Sequence, residues 1–258
     1  MSVNKQSLDA RVGHEQEFFD QVASEHGEDY SIRTDYGAAL KFANIEESQL
    51  KGMKVLDCGA GLGHLAVWLA MKGAHVTAID VSPKSLEVLS KRALHHGVSR
   101  NIEARLLPIE QIDYADASFD LAVGEFILHH VMLDKCIPQI HRVLRPGGKA
   151  LFLETSAANK VLMFFRTHVI GHLGIPKMQD EIEYPLTPRD VAYIDRVFEG
   201  GCQVHYVPYT FLRMLDSHIF RHKIRFVSWL LLTGDQLIYR YLAFMRKYSY
   251  VMLIDLTR

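Results

Sequence analysis

The sequence predicts an α/β fold, a parallel sheet with helices on both faces, on three observations. Short apolar runs such as Lys54-Val55-Leu56-Asp57 and His75-Val76-Thr77-Ala78-Ile79 alternate with helix-length segments, the spacing of βαβ crossovers. The first run ends in a glycine-rich turn at Gly59, Gly61 and Gly63 and leads into a helix. The chain has 258 residues, 48% of them hydrophobic, enough for one large domain with a substantial core.

Residues 1–49 read as a helical, polar N-terminal cap, with Phe18, Phe19 and Val22 at helix-like spacing. The main domain spans 50–258. Its first strand is Lys54–Asp57, followed by a helix over Leu65–Met71. The second strand, Ala74–Asp80, leads into a helix that Ser82 caps and Pro83 opens, running to Leu94. Ile102–Leu107 is a weaker third strand and Phe119–Gly124 a fourth. A helix over roughly Lys135–Leu144 and the turn Arg145-Pro146-Gly147-Gly148 precede a fifth strand, Lys149–Glu154. The rhythm then breaks. Lid insertions fall at about 155–187 and 212–247, separated by a helix over Thr187–Phe198 and a strand over Gln203–Phe211; Tyr248–Leu256 is a last strand.

A net charge of −1, from 29 basic and 30 acidic residues, argues against a protein that coats nucleic acid. Cys58, Cys136 and Cys202 lie far apart without a CxxC pair, which favours a reducing compartment and carries no zinc signature. The N-terminal stretch lacks the apolar core of a signal peptide, and no segment approaches the ~20 apolar residues of a membrane span. The expectation is a soluble, cytoplasmic protein.

Asp57-Cys58-Gly59-Ala60-Gly61-Leu62-Gly63 lets backbone approach a ligand closely at a helix N-terminus. The dinucleotide fingerprint fails, because its third glycine would fall on His64. Asp57 would repel a pyrophosphate and suit an ammonium group, while Asp80, ending the second strand, can accept both hydroxyls of a ribose. The expected ligand is a nucleoside with an amino-acid tail.

These residues, with Ser118-Phe119-Asp120-Leu121, Leu128-His129-His130-Val131 and Arg142-Val143-Leu144-Arg145-Pro146-Gly147-Gly148, resemble the ordered motifs of class I S-adenosylmethionine-dependent methyltransferases of the small-molecule type, over about residues 50–155. The resemblance implies a Rossmann-like, seven-stranded, mostly parallel sheet whose last strand is antiparallel. It also implies S-adenosylmethionine as cofactor. Gly59, Ala60, Gly61 and Gly63 would line its methionine end, Asp80 and Val81 its ribose, and Glu125 and Phe126 would lie beside it after strand four. The family's adenine-binding Asp is replaced by Pro108, leaving the Ile109 N–H and the Glu110 carboxylate for that end. Tyr30, Arg33 and Tyr36 are candidates to close over the cofactor.

A sulfonium is an activated methyl donor, so the protein's task is to orient the acceptor, exclude water and, for a hydroxyl or protonated amine, take a proton. His129, His130 and Glu125, at the carboxyl edge of the sheet, are the candidate bases, and Glu154 faces the same cleft. His168 and His172 share a helix face without a matching carboxylate, which does not make a metal site. Apolar residues of the insertions, among them Phe164, Phe165, Ile170, Leu173 and Met178, suggest a cover for a hydrophobic substrate, a secondary metabolite or quinone-like compound. The segment 211–247 is also basic and aromatic, so a peripheral contact with anionic membrane, and a lipid substrate there, is an alternative. Two other readings are a cofactor-dependent cyclase or rearrangement enzyme and a non-catalytic partner subunit.

Overall fold

The computed structural model describes residues 7–26, 29–32, 36–168, 184–207, 212 and 223–258. Seven strands form one sheet: β1 (Lys54–Cys58), β2 (His75–Asp80), β3 (Ile102–Leu106), β4 (Phe119–Glu125), β5 (Leu144–Thr155), β6 (Cys202–Tyr206) and β7 (Val251–Thr257). Their spatial order is β3-β2-β1-β4-β5-β7-β6. The pairings from β3 to β5 are parallel, and β7 runs antiparallel to both β5 and β6, as the family resemblance implied.

Alternation along each strand sorts side chains between two apolar layers. Val55, Val76, Ala78, Leu121, Val123 and Leu151 face one, which α2 (Gly37–Phe42), α3 (His64–Met71) and α4 (Pro83–His95) complete. Leu56, Cys58, Ile79, Ala122, Ala150 and Phe152 face the other, closed by α5 (Leu133–Val143) and α7 (Pro188–Val197). Burial on both faces is why these strands read as short, nearly continuous apolar runs. Ser82 Oγ accepts the Ser85 N–H at 3.0 Å, and Pro83 takes the first helical position of α4. Thr187 and Asp190 form a reciprocal cap at the start of α7.

The N-terminal segment is more than a polar cap. Tyr36, Leu40, Ala43 and Leu50 are buried in the first layer, and the Tyr36 hydroxyl donates to the Leu151 carbonyl at 2.9 Å. Tyr36 therefore belongs to the core and does not close over a ligand. The helix α1 (Leu8–His26) lies across α4, and Asp20 Oδ1 there accepts from Ser82 Oγ at 2.6 Å and from the Lys84 N–H at 3.2 Å.

In the second half, α6 (Lys160–His168) follows β5, and β6 ends at Tyr206; residues 208–211 of the expected strand lie outside the described residues. Of the long helix expected over 212–247, residues 213–222 lie outside the described residues; the described part contains α8 (Arg225–Tyr241), broken at Leu242 and followed by a 3-10 turn over Ala243–Tyr248. Ile170, His172, Leu173 and Met178, and the Phe165 side chain, lie outside the described residues.

Candidate active site

After β3 the chain crosses back over β1 to form β4, so the strand order reverses between β1 and β4. Crevices open at the carboxyl ends of strands at such a reversal. There lies a cavity of about 460 Å³, walled by the ends of β1, β2 and β4, by the residues after β3 and by α1.

Asp57, one residue before the end of β1, lines this cavity almost fully buried, and its Oδ2 has no hydrogen-bond partner among the described residues. Burial, then the nearby Glu125 and Asp80 carboxylates, push Asp57 well above the usual carboxylate range. Asp80 Oδ2 accepts the Gly61 N–H at 2.7 Å and its Oδ1 accepts the Ser82 N–H at 2.8 Å. Asp80 is also raised by burial, an effect that these N–H donors oppose. Three carboxylates thus meet in one crevice and favour a ligand that brings positive charge. Gly61 adopts φ +50°, and a Cβ built on it would point into open space, so its backbone can lie directly against a ligand.

The expected cofactor residues divide at the cavity wall. Asp57, Gly59, Ala60, Gly61, Asp80, Val81, Ile109, Glu110, Glu125 and Phe126 are on it. Gly63 is not. It has φ +82°, and a Cβ there would collide with the Leu89 side chain and meet the Leu89 Cα at 3.0 Å. Its absent side chain lets α3 and α4 approach each other. Tyr30 is also off the wall: its ring lies 5.7 Å from that of His95, and its carbonyl is bonded to His96 Nε2 at 2.8 Å. Arg33 falls outside the described residues. Glu110 is divided between two tasks, since its Oε1 accepts the Met132 N–H at 2.9 Å and ties the segment after β3 to the start of α5.

The residues after β4 form a second constellation. Phe126 has φ +55°, an unfavourable conformation for a side chain of its size, and turns the chain sharply. That turn directs the N–H groups of Ile127 and Leu128 onto Glu154 Oε1, at 2.8 and 2.6 Å. Glu154 Oε2 lies 2.8 Å from His129 Nδ1. A carboxylate oxygen only accepts, so Nδ1 carries a proton, and in the neutral ring Nε2 is the nitrogen that keeps its lone pair. His129 is on the cavity wall, and its Nε2 is buried without a hydrogen-bond partner among the described residues. Glu154 is fully buried and does not face the cleft as expected. It holds the histidine that does.

His130 points toward α1. Its Nδ1 is 3.0 Å from Glu15 Oε2 and its ring stands edge-on to Phe19 at 5.4 Å. Arg11 Nε donates to the His130 carbonyl at 2.6 Å. The helix α1 therefore closes one side of the cavity through Arg11, Val12, Glu15, Phe18, Phe19 and Val22. Of these, Phe18, Phe19 and Val22 carried a helical spacing in the sequence, whereas nothing local pointed to Arg11 or Glu15. His168 Nδ1 is bonded to the Phe164 carbonyl at 3.0 Å within α6.

Residues 56–152 match the family model described as a methyltransferase domain. A ubiquinone biosynthesis O-methyltransferase of Methylocella silvestris is 34% identical over 148 residues, covering 55% of this chain and 56% of the relative. The chain spans about half the length of the curated relatives it matches. Among solved structures, the geranyl diphosphate C-methyltransferase of Streptomyces coelicolor superposes with a TM-score of 0.60 at 10% identity, covering 96% of this chain and 98% of the other. The [4+2]-cyclase SpnF superposes with a TM-score of 0.57 at 17% identity, covering 94% of both chains.

Proposed function

From a chain whose residues 56–152 are a methyltransferase domain and whose fold is that of the class I S-adenosylmethionine-dependent methyltransferases, we propose that the protein binds S-adenosylmethionine and methylates an O, N or C nucleophile of a hydrophobic small molecule, a quinone-like compound or secondary metabolite. One observation carries this reading. The buried His129–Glu154 pair presents Nε2 to the same cavity that Asp57, Gly61 and Asp80 line.

The residues present fit the cofactor. The unpartnered Asp57 Oδ2 suits an ammonium group, the bare Gly61 backbone a close approach, and Asp80 ribose hydroxyls. When bound, the cofactor supplies an activated methyl group on a positively charged sulfur. Phe18, Phe19, Val22 and Val131 give the rest of the cavity an apolar lining that excludes water and suits a hydrophobic acceptor. His129 Nε2 takes the acceptor's proton, and Glu154 holds the ring in the tautomer that can do so. Glu125 and His130 shape the wall on either side of the sharp turn at Phe126. The O-methyltransferase relative supports a hydroxyl among the acceptors.

Calorimetry with S-adenosylmethionine and S-adenosylhomocysteine tests the cofactor, and Asp80→Ala is expected to weaken both roughly tenfold or more. Unchanged affinity, or undetectable binding by the parent protein, would overturn the assignment. Transfer of isotope-labelled methyl to a panel of hydroquinones and phenols tests the reaction; product formation without label would identify a cyclase or rearrangement instead.

A further inference from the structure

The helix α8 has apolar side chains on both faces. Leu231, Asp235 and Ile238 lie on the side turned to the protein, where buried Asp235 accepts the Leu212 N–H at 3.1 Å. Tyr239 anchors that side too, donating to the Tyr206 carbonyl at 2.7 Å. On the outward side, Phe226, Trp229, Leu230, Leu237 and Tyr241 recur at spacings of three, four and seven and share one stripe. With Phe244 just beyond the helix they are between 52% and 69% exposed. A helix that only packs onto a protein core carries polar residues in that stripe.

The charges around the stripe have one sign. Residues 223–249 contain the exposed Lys223, Arg225, Arg240 and Lys247, a further Arg246 that donates to the Tyr239 carbonyl, and one acidic residue, the buried Asp235. We propose that this face of α8 rests on an anionic lipid surface, with Phe226, Trp229 and Phe244 entering the interface and the basic residues meeting lipid phosphates. Charge decides for this occupant over a second copy of the chain. A two-fold pairing of the stripe would set arginine against arginine, whereas an anionic bilayer neutralises all of them. Aromatic rings beside long basic chains also suit the boundary between water and acyl chain, where one end of each side chain stays wet. Among the described residues no helix is long and apolar enough to cross a membrane, so α8 lies along the surface. The inference is independent of the proposed chemistry, since none of these residues lines the cavity.

Vesicle sedimentation tests it, with phosphatidylcholine alone and with phosphatidylcholine–phosphatidylglycerol mixtures. The chain has two tryptophans, of which Trp68 is buried and Trp229 exposed, so quenching by brominated lipid reports on α8. The protein is expected to partition onto the anionic vesicles with Trp229 emission shifted to the blue and quenched. Each basic residue contributes roughly fivefold to that partitioning. The double variant Lys223→Glu/Arg225→Glu should therefore lose tenfold or more, and Phe226→Ser/Trp229→Ser should abolish sedimentation. Both should keep the parent's thermal midpoint, because the altered side chains are exposed. Failure to bind anionic vesicles, or binding equal on neutral lipid and indifferent to the charge reversals, overturns the proposal. So does a parent dimer that Phe226→Ser/Trp229→Ser makes monomeric without affecting lipid binding, which would assign the face to a second copy.

Discussion

Replacing Glu154 by glutamine isolates the one electrostatic relation on which the proposed base depends. In the parent, Oε1 receives two backbone N–H groups, from Ile127 and Leu128, and Oε2 faces His129 Nδ1. The amide of the variant has one accepting atom and one donating atom. Two N–H donors hold the carbonyl oxygen where Oε1 stood, which leaves the NH₂ group facing Nδ1. His129 must then accept at Nδ1 and carry its proton on Nε2, so the atom facing the cavity changes from acceptor to donor. Reversal of the tautomer of a catalytic base costs about 10² to 10⁴ in rate. The bonds to Ile127 and Leu128 survive, so the fold should lose only about 1–2 kcal/mol. Glu154→Ala differs: it strands two buried N–H groups and should cost about 4 kcal/mol, confounding fold with function. The assays are kcat/KM across pH and nitrogen chemical shifts of His129, whose Nδ1 and Nε2 signals should exchange character in the glutamine variant. A folded Glu154→Gln variant within twofold of the parent at every pH, or one with unchanged His129 tautomer, would refute the reasoning.

Asp57 makes cofactor affinity depend on pH. Burial and neighbouring carboxylates raise its pKa in the free protein, so below that value it is protonated and a cationic ligand must displace a proton. Calorimetry should show affinity rising with pH until Asp57 is ionised, with a slope that Asp57→Asn removes. The same shift means that ionised Asp57 destabilises the ligand-free fold at pH values above its raised pKa, and that this penalty vanishes as pH falls below the unfolded value. Asp57→Asn should accordingly raise the ligand-free thermal midpoint at neutral pH while weakening binding. In the glycine turn, Gly63→Ala should lose about 2–4 kcal/mol in a denaturant melt, because the new Cβ meets Leu89 backbone. Gly61→Ala meets nothing and should cost only about 1–2 kcal/mol of stability while reducing cofactor affinity. Asp20→Ala removes the bonds to Ser82 Oγ and the Lys84 N–H; proteolysis should then cut α1 faster, and stability should fall by about 1–2 kcal/mol.

Local pattern was enough for the first four strands, for the cap at Ser82-Pro83 and for the glycine turn, because each depends on residues within a few positions; β5 begins at Leu144, ahead of the expected Lys149 and across the segment expected as a turn. At β6 the described strand stops at Tyr206, two residues before Pro208, whereas the helix expected over 212–247 broke at Leu242 without a proline or glycine to announce it. The expected ligand class rested on Asp57, whose carboxylate at the glycine turn disfavours a phosphate there, and on Asp80, which can accept ribose hydroxyls.

The sequence alone determined the chain order of the elements in the sheet and the side of the sheet on which the cleft opens. These follow from periodicity, chain direction and residue chemistry. Tertiary structure decided which of three similar glycines meets the cavity and which lets two helices touch, a question of what lies beyond an absent Cβ. It also decided that Glu154 holds His129 while His130 turns to Glu15, and that α1 is a wall of the site. Those partners are 25, 115 and about 35 to 120 positions apart in the chain. Parallel pairing of β4 with β5 and the docking of α1 bring them within bonding distance, and no local pattern encodes which distant backbone arrives there.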